Sequence, residues 1–134
     1  MPGFPFLRPA QSLLLLRVTV AGLLLAHAVV RVVGGTVPRF ADFLTAKGLP
    51  FGLALVWLIT AAELLGGVLM ALGILTRWVA LVFGLIIGTG IVLIHAENGW
   101  FVGEHGTGGI EYSALLLVAL LVIAATDGQP EVVE

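Results

Sequence analysis

Residues 53–75 form one apolar run, and near its middle, within Trp57–Met70, stands a carboxylate, Glu63. At 1.5 Å per residue such a run is long enough to cross a hydrocarbon core of roughly 30 Å. An ionisable group at that depth is costly unless it faces other protein and has a partner there. Whatever lies opposite Glu63 therefore constrains how the whole chain folds.

The surroundings of the run give it no aqueous alternative. The chain is 60% hydrophobic and 10% charged, with a mean hydropathy of +1.16. A soluble domain of ordinary make-up is about 45–50% apolar and about 25% charged. Six Lys and Arg with eight Asp and Glu cannot furnish a charged surface for 134 residues. The expected partner is the lipid bilayer. The net charge of -2 does not bear on nucleic acid; the sequence holds no basic patch, and no nucleic-acid partner is expected. The absence of cysteine removes disulfides, thiol redox chemistry and thiolate metal sites.

The pattern predicts an all-α integral membrane protein, with four transmembrane helices in one antiparallel bundle over residues 12–34, 53–75, 78–96 and 110–125. Residues 1–11 hold three prolines and read as an irregular start, and 127–134 as a disordered polar tail. Ala26-His27-Ala28 mimics a signal-peptide cleavage site, but Arg17 would interrupt the apolar region such a peptide needs. In the first loop, Pro38 suits a helix start and Gly48 a helix end. Phe40, Phe43 and Leu44 recur at helical spacing between them, which predicts a short amphipathic helix against the membrane surface or the bundle. Thr76-Arg77 is the tight connection between the second and third spans. Two small-residue pairs, Ala62/Gly66 and Gly84/Gly88, have the spacing for close helix contact, and either face suits a homo-oligomer. Four spans place both termini on one side. Lys and Arg divide almost evenly between the two sides, and cytoplasmic termini are the expectation.

The polar residues converge. Arg17, His27 and Arg31 share one stripe of the first span, with His27 about 80° and Arg31 about 40° from Arg17. Such a stripe should face other helices, although the two arginines can instead snorkel to the interfaces. Counted from the loop side, Arg31 lies about 5 Å deep, His27 about 10 Å and Glu63 about 15 Å. His95 and Glu111 lie within a turn of that side. His27 matches Glu63 best in depth, and Arg31 or Arg17 can also reach it. Asn98, Trp100 and Phe101 are candidates to line the glycine-rich second loop above. Glu63, His27, His95, Glu111, Arg31 and Arg17 are thus the candidate ligand or proton site. An ion-pair network that only fixes helix order is the competing reading. The spacing is not diagnostic of a metal, and none is expected. Haem held by His27 and His95 is the weaker cofactor reading, because two histidines alone are not specific.

These residues also carry a resemblance. Leu16-Arg17 and His27 in the first span, Phe43 to Gly48-Leu49-Pro50 in the first loop, and Ala62-Glu63 to Gly66-Gly67 in the second span occur in order. Leu72-Gly73 to Thr76-Arg77, His95 to Trp100-Phe101, and Gly109-Ile110-Glu111-Tyr112 follow. The chain resembles the DoxX family of small bacterial membrane proteins. Trp100 stands where the family often has phenylalanine, and Ala28 and Arg31 where many members have glycine and lysine. The resemblance implies four spans in the bacterial inner membrane. It also implies relatives in membrane redox complexes, including a subunit of a thiosulfate:quinone oxidoreductase, and in oxidative-stress defence. The expected role is a redox-associated accessory subunit that binds quinone and works with a redox partner protein. A small-molecule or proton transporter and a structural scaffold are the alternatives. No catalytic residue is assigned.

Overall fold

The structure, a computed structural model, describes residues 6–104 and 108–129. The expected irregular start and polar tail lie partly outside these residues. The chain is 79% helix, with no strand among the described residues. Helix α1 spans Pro9–Val33, α2 Val37–Ala46, α3 Gly52–Leu72, α4 Thr76–Gly90 and α5 Glu111–Thr126. Three helical stretches are long and apolar enough to cross a membrane: Pro9–Val33, Gly52–Leu72 and Thr76–Asn98. The fourth, α5, is apolar but has only 16 residues.

Local chemistry sets the boundaries. Helix α1 begins at Pro9, earlier than expected. Proline has no N–H to leave unpaired in a first turn, and Gln11 Oε1 accepts from the Arg8 N–H at 2.9 Å. Helix α2 forms where the amphipathic pattern places it. Gly48 follows in the left-handed region (φ 88°), its N–H donating to the Thr45 carbonyl at 3.0 Å. The expected turn at Thr76-Arg77 lies earlier, at residues 73–75. Gly73 takes φ 75° and donates to Met70 O at 3.1 Å, and Ile74 N–H reaches Leu69 O at 2.8 Å. That bonding satisfies the last carbonyls of α3 and frees Thr76 to begin α4.

Helix α4 departs from expectation at its far end. It passes into a π turn over Ile91–His95 and then a 3-10 turn over Ala96–Asn98. Gly88 and Gly90 just before it lower the cost of leaving regular helix geometry.

Helix α1 packs on α3 and α5, and α4 packs on α3 and α5. Between them lies a core that includes Val20, Ala21 and Leu24 of α1, Met70 of α3, Phe83 of α4 and Leu120 of α5. Gly66 is buried where an added Cβ would stand 2.9 Å from Phe83 Cζ. Its face is therefore spent within the chain, which withdraws the Ala62/Gly66 pair as an outer oligomer face. An added Cβ at Gly84 or Gly88 would meet nothing within 4 Å. Gly67 lies against Leu25 of α1 with no room for a Cβ. Helix α2 folds back on α3, burying Val37, Ala41 and Leu44 with Val56.

Gly67→Ala should destabilise the protein by about 1–3 kcal/mol through overpacking against Leu25. Gly22→Ala, where an added Cβ meets nothing within 4 Å, should leave stability unchanged or slightly raised. Thermal unfolding of the two variants in detergent, against the parent, checks both.

Candidate functional site

Glu63 lies on the face of α3 that also carries Thr60 one turn earlier; the two are 4% and 1% exposed. Its partner is Arg31, from the last turn of α1: Arg31 Nη1 donates to Glu63 Oε2 at 2.6 Å. The same nitrogen donates to Thr60 Oγ1 at 2.9 Å, and that hydroxyl donates to Val56 O at 2.7 Å. The Arg31 guanidinium stands 5.3 Å from the ring centre of Phe40, which α2 contributes. Three elements thus converge on one charge pair. His27 matches Glu63 best in depth, but of the residues expected within reach it is Arg31, nearer the surface, whose longer side chain extends down to the carboxylate.

The pair borders a cavity of about 440 Å³. His27, Arg31, Glu63, His95, Tyr112 and Ser113 supply its polar lining, and Leu24, Leu44, Ile59, Ile87 and Leu116 are among its apolar walls. Leu85, 65% exposed, shares the lining, so the cavity reaches the outer apolar surface of α4. A second cavity of about 320 Å³ adjoins it on the loop side, bounded by Arg31, Thr36, Arg39, Phe40, Phe43 and Ile94. Arg31, Phe40 and Ile94 belong to both.

The candidates read from sequence divide into two groups. His27, Arg31, Glu63 and His95 share the cavity. His27 is exposed and has no hydrogen bond among the described residues. His95 Nδ1 is 2.7 Å from the Gly108 carbonyl oxygen. Glu111 does not line the cavity. Its Oε1 accepts from Val102 N–H at 2.8 Å and so closes the second loop on itself. Arg17 lies on the opposite side, stacked over Gly73, with its Nε buried and without a hydrogen bond.

The loop residues hold structure and do not line the cavity. Asn98 Nδ2 donates to Ile94 O at 3.2 Å. The carbonyls of Trp100 and Phe101 accept from Glu111 and Gly109 N–H at 2.9 and 3.1 Å, with both side chains exposed. Gly109 is required there, since a Cβ would meet the Trp100 and Phe101 carbonyl oxygens at 2.6 Å. Lys47 Nζ reaches Glu97 Oε1 at 2.5 Å and ties the end of α2 to the segment after the π turn. Among the described residues no three His, Asp or Glu side chains gather as metal ligands.

Sequence reasoning missed Thr60, Tyr112 and Ser113. Thr60 had a usable signal, a hydroxyl three residues before Glu63 in an apolar helix. Tyr112 and Ser113 had a weaker one, as polar groups in the first turn of α5. The π turn that sets the His95 ring had none.

Comparison with known proteins gives one result. The DoxX family model matches residues 12–96, from the first turn of α1 to just past the π turn. No curated protein and no solved structure matches the chain.

Glu63→Met or Arg31→Met alone should cost about 3–5 kcal/mol, because each leaves a buried charge uncompensated. The double variant should recover most of that loss. Unfolding measurements on the four proteins of this cycle check the coupling.

Proposed function

The chain belongs to the DoxX family, and from that premise we propose a quinone-binding accessory subunit of a membrane redox complex. The observation that carries this reading is the cavity bordered by Glu63 and Arg31. It is largely apolar, has a few convergent polar groups, and reaches the outer apolar surface of α4. That is the character of a small-molecule site, and a lipid-borne ligand would enter through such an opening. A quinone has an apolar ring and tail and two ring oxygens. Apolar walls suit the ring and tail, and His27, Tyr112 and Ser113 are groups among them able to donate to a ring oxygen.

In this reading α5 is the fourth membrane crossing and the helices make one antiparallel bundle. The Arg31–Glu63 pair keeps α1 and α3 in register while the cavity holds the ring. Nothing in the side chains carries electrons, so a partner protein supplies them. A homo-oligomer would use the open Gly84/Gly88 face.

A specific observation also favours the scaffold alternative: the same pair joins α1, α2 and α3, as a purely structural network would. The two readings separate at His27, which lines the cavity without bonding to the fold. His27→Leu should leave stability within about 0.5 kcal/mol of the parent, as expected of a side chain outside any packed or bonded network. It should lower the quinone that co-purifies from native membranes severalfold. Solvent extraction of the purified protein with quinone quantitation is the measurement. Parent protein without quinone, in a partner complex whose turnover ignores His27→Leu, would leave the scaffold reading.

A further inference from the structure

The hydrogen-bond chemistry around the cavity favours one oxidation state of its ligand. We infer that the cavity takes the reduced, hydroxyl-bearing form, a para-diphenol, in preference to the oxidised dicarbonyl. This rests on the quinone-binding reading above and deepens it.

The tautomer of His95 is set by its partner. The π turn over Ile91–His95 ends on this residue, and its Nδ1 lies 2.7 Å from the Gly108 carbonyl oxygen. A carbonyl oxygen only accepts, so Nδ1 is the nitrogen that carries hydrogen. In the neutral ring, Nε2 is then an acceptor. The ring that presents this acceptor is part of the cavity wall.

Glu63 supplies a second acceptor. A carboxylate paired with a guanidinium is acceptor-only. Its Oε2 takes Arg31 Nη1, which leaves Oε1 to accept from another donor. Both hydrogens of that arginine nitrogen are committed, one to Glu63 and one to Thr60. Two acceptors, one from α3 and one from the π turn after α4, thus border one cavity. The hydroxyls of Tyr112 and Ser113 can serve either way.

A dicarbonyl ligand brings acceptors alone and leaves Glu63 Oε1 and His95 Nε2 unpaired in an apolar setting. A diphenol brings two O–H donors for them. Sites built around buried polar groups discriminate strongly against an analogue that leaves those groups unpaired. One such mismatch corresponds to about a tenfold difference in affinity or more.

The test is anaerobic titration of the purified full chain in lipid nanodiscs with a short-chain benzoquinol and its matching benzoquinone. The parent should bind the quinol at least about tenfold more tightly. His95→Asn keeps an N–H donor near the Nδ1 position without an Nε2 acceptor, and should lose most of that preference. His95→Gln, with an amide oxygen near the Nε2 position, should keep part of it. Nitrogen chemical shifts of labelled histidine, assigned by difference against His95→Asn, should show Nδ1 protonated and Nε2 bare. Equal binding of the two forms by the parent, or preference unchanged in a folded His95→Asn, would overturn the inference while leaving quinone binding intact. Binding of neither form would overturn it together with the quinone reading.

Discussion

The bond between Arg31 and Glu63 is the constraint on which the rest of this structure depends. A carboxylate in the middle of an apolar helix cannot face lipid, and a guanidinium one turn from a helix end cannot be buried without an anion. Each makes the other tolerable. Their pairing fixes the rotation and height of α1 against α3, and Thr60 takes the remaining hydrogen of the shared nitrogen. The rest of the helix packing follows from small residues on the same helix. Gly66 admits the Phe83 ring and Gly67 admits Leu25, so α3 approaches both neighbours closely.

The loop side is built around that pair. Helix α2 folds back, burying Val37, Ala41 and Leu44, and brings Phe40 over the guanidinium. Lys47 and Glu97 then tie the end of α2 to the 3-10 turn that follows the π turn. The second loop closes through Glu111 and Val102 and through the carbonyls of Gly99, Trp100 and Phe101. Residues that look like a ligand-binding loop in sequence are thus occupied in holding one another. The cavity lies beneath them, walled by helices. Among its few polar groups, Glu63 is bonded to Arg31 and His95 to the Gly108 carbonyl, whereas His27 has no hydrogen bond among the described residues.

Much of this was legible in the residues. Long apolar runs with few charges mark membrane-crossing helices, Pro38 and Gly48 bracket α2, and Glu63 demands a partner. The choice of that partner was not legible. Depth along helices favours His27, and the side chain's own length decides for Arg31. Glu111 is equally instructive. Its position in the first turn of α5 suggests a place in the cluster, yet a backbone N–H of the loop takes its oxygen.

The sequence by itself determined the medium, the helices and the cost of Glu63, because these depend on hydropathy, helical period and local capping within short stretches. Tertiary structure decided which cation meets Glu63, which glycines face inward and which carbonyl His95 Nδ1 meets. Those outcomes depend on helix rotation, on a π turn and on a carbonyl thirteen residues further along the chain. No local pattern encodes distances between segments that distant in sequence. Glu63 is thus an anomaly when read along the chain and the centre of a charge-pair network joining three helices when read across it.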